Sequence, residues 1–144
     1  MITDDVEKII VHCSATREGD DCIDIHVIDK WHKAKGWRGC GYHFVILIDG
    51  TIQGGRSIND SGAHTKGLNS KSWGVCYVGG VEQDGKTPKD TRTEKQKESL
   101  LSLLRFLKLL QPDATIHGHR DFAAKACPCF DATEEYDNIT NTWK

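Results

Sequence analysis

The 144-residue chain has no C-x-x-C pair, no uncharged apolar run of about 18 residues, no internal repeat, no low-complexity tract and no surplus of charge of one sign. Each absence excludes a class of protein. The lack of C-x-x-C pairs argues against a four-thiolate zinc ribbon and against a thioredoxin-like redox centre. Without a long apolar run there is no helical membrane span. With 19 Lys and Arg against 21 Asp and Glu, a net charge of -2 gives no electrostatic footprint for nucleic acid. The start of the chain, acidic at Asp4, Asp5 and Glu7, has neither the basic nor the apolar segment of a secretory signal, so the expected place of synthesis is the cytoplasm. What remains is an ordinary globular composition, and its length suits one domain over residues 1–144.

The coarse pattern along the chain predicts an α/β fold, a single domain with a central mixed β-sheet flanked by helices. Lys8 to His12 is β-branched and apolar and reads as a buried strand. Asp24 is placed to cap a helix carrying Ile25, Ile28 and Trp31, which Gly36 ends. Tyr42 to Ile48 reads as a second strand, closed by the hairpin signal Asp49-Gly50 and followed by Thr51-Ile52. Gly54 to Ser72 is a long Gly, Ser and Asn-rich loop, a type of segment that usually carries function. Gly74 to Gly79 reads as a third strand, and the polar stretch Glu82 to Arg92 as a mobile connection. Thr93 and Gln96 form a capping-box pattern opening a helix to Leu110, with Leu100, Leu103, Leu104, Phe106 and Leu107 on its apolar face. Ala114 to His117 reads as the last strand.

The six cysteines are open between a disulfide framework and chemistry, and the absence of a secretory signal favours chemistry. Cys13, Cys22, Cys40 and Cys76 read as small buried apolar side chains. Seven histidines exceed average usage, and two of them stand in His117-Gly118-His119-Arg120-Asp121. His12 closes the first strand, and Cys127 follows His119 by eight residues. Two imidazoles and a thiolate suit zinc and leave a fourth position for water. Against this stands the commoner fate of a lone His or Cys at a strand end, which is to be packed or solvated. Cys129 is a neighbouring thiol that competes for the assignment.

Several blocks then resemble one family in order and spacing. They are Val11-His12-Cys13-Ser14-Ala15-Thr16, Trp31-His32, Gly36-Trp37, Gly41-Tyr42-His43-Phe44, Asp49-Gly50-Thr51, Gly62-Ala63-His64, Ser72 to Gly80, Gly118-His119-Arg120-Asp121 and Lys125 to Asp131. Together they resemble the zinc-dependent N-acetylmuramoyl-L-alanine amidases of type 2, which include amidase-type bacteriophage lysozymes and share a fold with peptidoglycan recognition proteins. The resemblance covers about residues 8–131. It implies one zinc ion per chain on His12, His119 and Cys127, a proton-handling Tyr42, a transition-state Lys125, and His64 at the substrate cleft. His117 has no assigned role, with packing or support of the site favoured over ligation. Cys129 departs from the serine common among phage members.

The implied reaction is hydrolysis of the amide between the lactyl group of N-acetylmuramic acid and L-alanine, in a phage or prophage endolysin. The alternative is a protein of the same fold that binds peptidoglycan without cutting it. The expected partner is peptidoglycan, with no nucleic acid and no membrane. The chain is expected to be a monomer that acts on the wall after release from the cytoplasm.

Overall fold

The computed structural model describes residues 3–137 and residue 139. Residues 1, 2, 138 and 140–144, the ends of the expected 1–144 domain among them, lie outside the described residues. Among the described residues, seven strands and three helices follow a 3₁₀ turn at Thr3–Asp5: β1 (Lys8–Cys13), β2 (Thr16–Arg17), α1 (Ile25–Ala34), β3 (Phe44–Ile46), β4 (Ile52–Gly54), β5 (Ser72–Tyr77), β6 (Gly80–Val81), α2 (Glu94–Leu110), β7 (Thr115–Gly118) and α3 (Ala132–Glu135). A second 3₁₀ turn, His119–Asp121, follows β7.

The main sheet has the order β4-β3-β5-β1-β7. β1 pairs in parallel with β5 and with β7, β3 pairs in parallel with β5, and only the β3–β4 hairpin is antiparallel. The sheet is therefore mixed and helix-covered, as the sequence predicts. β1 and β5 lie inside it and are buried on both faces, which is why they read as unbroken apolar runs rather than alternating ones. A small parallel pair, β2 and β6, lies outside the main sheet; two-residue strands are too short to show any sequence period.

The period of two along the strands divides the core. Ile9 and Val11 of β1, with Trp73, Val75 and Tyr77 of β5, pack on Leu100, Leu103, Leu104 and Leu107 of α2. Burying each leucine is worth roughly 1.5–3 kcal/mol. On the other face Cys76 and Val45 pack with Ile28 of α1. His12 and Gly74 share this second parity, so the side chains of β1 and β5 that face α1 include the first candidate ligand.

Both long helices begin where their caps predict. Asp24 accepts a hydrogen bond from the Val27 amide at 3.1 Å. Thr93 accepts from the Gln96 amide at 3.1 Å, and the Gln96 side chain accepts from the Thr93 amide at 3.0 Å. The buried Gln96 amide group also donates to the carbonyls of Val78 and Ile46 at 2.9 and 3.3 Å, tying α2 to the sheet.

Four expectations need correction. Phe106 (45% exposed) and Trp31 (41%) point to solvent, because the buried faces centre on Leu100, Leu104 and Leu107 in α2 and on Ile28 and His32 in α1. Cys22 is exposed, whereas Cys13, Cys40 and Cys76 are buried. The strands expected at Tyr42 to Ile48 and at Gly74 to Gly79 run over Phe44–Ile46 and Ser72–Tyr77. The stretch Glu82 to Arg92, expected to be mobile, ends in a fixed core contact. There the Arg92 side chain, 2% exposed, makes paired hydrogen bonds to Asp90 and Glu135 and covers the Phe130 ring at 3.4 Å.

Candidate active site

β1 and β7 run parallel with Val11 opposite Gly118, so both strands finish at the same edge of the sheet. His12 stands near the end of β1, and His119 is the first residue after β7. The Arg120 amide donates to the Cys127 carbonyl at 2.7 Å, which folds the loop carrying Cys127 back onto the turn carrying His119. The ligand atoms of His12, His119 and Cys127 thereby fall within 4.8 Å of one another, although the outer two residues are 115 positions apart. Zinc bonds of about 2.0 Å to nitrogen and 2.3 Å to sulfur set tetrahedral ligands roughly 3.5 Å apart. The 3.9 Å between His12 Nδ1 and Cys127 Sγ is within a few tenths of an ångström of that spacing.

The electrostatics suit a metal. Burial first, then the neighbouring His64, His119 and Lys125, hold the His12 pKa well below its ordinary value. Burial, then Lys125, also lowers the His119 pKa from its ordinary value. Neutral imidazoles are the ligating form. The Cys127 thiol is drawn below its ordinary pKa, chiefly by hydrogen bonding with the Cys13 thiol and against the effect of burial. The Cys13 amide also donates to Cys127 Sγ at 3.2 Å. Cys13 is pushed up to about 12, first by that same bond to Cys127.

A cleft of about 730 Å³ opens over the three residues, and Tyr42, His64 and Lys125 line it. The Tyr42 ring centre lies 5.1 Å from that of His12, and burial raises the phenol pKa well above its ordinary value. Lys125 is exposed at the lip. Trp37 and Phe122, each 37% exposed, also border the cleft.

His64 does more than line the wall. Its Nδ1 lies 2.9 Å from His12 Nε2, and its Nε2 lies 3.3 Å from Ser72 Oγ. Burial, with a smaller effect of His43, lowers its pKa to about 3. His117 faces elsewhere, bonded to Thr115 Oγ1 at 2.7 Å and stacked edge-on against Phe122. Cys129 Sγ is directed at the Gly80 carbonyl at 3.2 Å and lies 4.0 Å from Cys13 Sγ, outside the three-residue group. Thr65, which touches His64 and His12, carries no sequence signal of its own, because hydroxyl residues in a polar loop are expected everywhere, and Ser72, which touches His64, opens a resembling block without an assigned role.

Residues 3–130 match the family model described as N-acetylmuramoyl-L-alanine amidase. Among curated relatives, the endolysin of Klebsiella phage KP32 is 45% identical over 127 residues, covering 88% of this chain and 83% of the phage protein. Among solved structures, the N-acetylmuramoyl-L-alanine amidase LysC of Clostridium intestinale superposes with a TM-score of 0.75 at 30% identity, covering 91% of this chain and 81% of LysC. The bumblebee peptidoglycan recognition protein PGRP-SA superposes with a TM-score of 0.76 at 26% identity, covering 92% and 81%. The chain belongs to the N-acetylmuramoyl-L-alanine amidase family.

Proposed function

We propose that this amidase is an endolysin that uses zinc on His12, His119 and Cys127 to hydrolyse the bond between the lactyl group of N-acetylmuramic acid and L-alanine in peptidoglycan. The convergence of two neutral imidazoles and a depressed thiol beneath one cleft carries this reading. When bound, zinc supplies Lewis acidity, polarising a carbonyl and lowering the pKa of water from about 16 toward neutrality.

The chain's own residues supply the rest. Water adds to the amide carbonyl, the carbon–nitrogen bond breaks, and the L-alanine amine leaves with a proton. Tyr42 keeps its phenolic proton, because burial holds its pKa above the ordinary value near 10. It therefore orients the attacking water or the leaving amine as a hydrogen-bond donor, and not as a free base. The Lys125 ammonium, at the open lip, stabilises the oxyanion of the tetrahedral intermediate, an effect on the order of 3–4 kcal/mol for one donor. His64 lines the inner wall of the cleft, next to His12.

The catalytic unit is one domain acting as a monomer, with neither nucleic acid nor a membrane as its partner. It reaches the wall after release from the cytoplasm where it is made. Among the described residues no helix is long and apolar enough to cross a membrane.

Purified peptidoglycan incubated with the protein is expected to yield new L-alanine amino termini, to stop doing so with a chelator, and to resume with added zinc. Release of reducing sugar ends instead, or turnover indifferent to chelation, overturns the reading. Saturable binding to the wall with no new termini selects the alternative, a peptidoglycan-binding protein of this fold.

A further inference from the structure

The cradle around His64 is more specific than a cleft wall needs. A Cβ placed on Gly74 would lie 2.6 Å from the His64 ring, and one on Gly62 would lie 2.5 Å from it. Separations under 3 Å are not tolerated, so only glycine at these two positions admits the imidazole. The Asn69 side chain accepts hydrogen bonds from the amides of His64 and Thr65, both at 2.9 Å, and fixes the backbone that carries the ring.

Within this cradle the hydrogen bonds have one consistent direction. Cys127 lies on the Nδ1 side of His12, so the lone pair offered to a metal is on Nδ1 and the ring proton is on Nε2. That proton is donated to His64 Nδ1 at 2.9 Å. His64 must then carry its own proton on Nε2, which faces Ser72 Oγ at 3.3 Å, and the Ser72 hydroxyl donates to the Leu68 carbonyl at 2.8 Å. Thr65 Oγ1 lies within 3.3 Å of His12 Nε2 and 3.0 Å of His64 Nδ1, closing the remaining side. Both nitrogens of His64 are engaged inside the protein, leaving none for substrate.

We propose that His64 is a positioning residue for the metal: with Ser72 behind it, it fixes the ring orientation and tautomer of His12 and so sets zinc affinity, rather than binding substrate by its nitrogens. The proposal rests on the zinc assignment above. Partners behind a ligating histidine are typically worth about 10–100-fold in metal affinity.

The test is zinc affinity by competition with a chromophoric chelator, together with the visible spectrum of the cobalt-substituted protein. His64→Phe fills the cradle without an acceptor and is expected to weaken zinc binding about 10–100-fold and to change the cobalt spectrum. His64→Asn, whose carbonyl oxygen can stand where Nδ1 stands, is expected to recover most of the loss. Ser72→Ala is expected to weaken zinc measurably but by less than His64→Phe, since it removes only the outer support. Zinc affinity unchanged in His64→Phe, with only KM raised, overturns the proposal and returns His64 to substrate binding. An Asn variant as weak as the Phe variant also overturns it. Should His64→Phe fail to fold, the Ser72→Ala affinity decides by the same criterion. A wild-type chain that binds no zinc removes the zinc assignment itself, whereas wild-type binding with unaffected variants removes only this inference.

Discussion

Among the described residues, two groups bring three ligand atoms within 4.8 Å of one another: His12, His119 and Cys127 in the cleft, and Asp20, Asp21 and Cys22 on the surface. The surface group is close because its residues are consecutive, and closeness of that origin constrains nothing. Its atoms make local bonds, from the Cys22 amide to Asp20 at 3.1 Å and from the Cys22 thiol to Asp21 at 3.9 Å, and Asp21 and Cys22 are exposed. The cleft group is close only because the end of β1 is held against a loop more than 100 residues further along the chain, which brings His12 to His119 and Cys127. Its first member is buried, and a chain of hydrogen bonds runs behind it. Proximity marks a candidate site, but burial and rear support distinguish a built one.

The largest effect separates these two groups directly. Cys127→Ala is expected to lose stoichiometric zinc and more than about a thousandfold of activity on purified wall, while Cys22→Ala keeps both, measured by elemental analysis and release of L-alanine termini. Zinc retained by Cys127→Ala and lost by Cys129→Ser would transfer the ligand role to the neighbouring thiol.

A smaller effect divides the cleft group from its lip. Lys125→Ala is expected to lower kcat roughly 10²–10³-fold with zinc stoichiometry unchanged near one. Metal loss in that variant would make the lysine structural.

The smallest effect tests the support beneath the Cys127 loop, three residues beyond which Phe130 lies under Arg92. Arg92→Ala is expected to lower Tm by roughly 3–8 °C, for a loss on the order of 1–2 kcal/mol after screening of the half-exposed carboxylates. The hydrogen bonds from Arg92 hold the Glu135 pKa below its ordinary value. The stabilisation is therefore complete above the usual glutamate range near 4.3 and is lost as pH falls through the lower folded value. A Tm fall between about pH 5 and pH 3 that is as steep in Arg92→Ala as in the wild type would rule this pair out as its cause.

Local signals were legible where a single residue type has a single local use. Asp24, Thr93 and Gln96 announced both long helices, and the apolar runs at β1 and β5 announced the centre of the sheet. The outward turn of Trp31 and Phe106 was not legible, because three-residue spacing describes a helix face without saying which edge of it the sheet covers. Arg92 was hidden for a related reason: an arginine in a polar run looks solvated until a carboxylate 43 residues away accepts its hydrogen bonds. In the cleft, His12, His119 and Cys127 were nominated by type and order, but nothing gave Ser72 or Thr65 a role.

By itself the sequence determined the helix starts, the buried strands and the residue types available for chemistry, since caps and apolar period act within a few positions. Only the tertiary structure decided which histidine nitrogen faces Cys127, that His117 and Cys129 stay out of the group, and that His64 stands behind His12. Those outcomes depend on the register of parallel strands and on glycines that let one ring approach another strand closely. Both are relations between segments far apart in the chain, and neither leaves a local pattern to read.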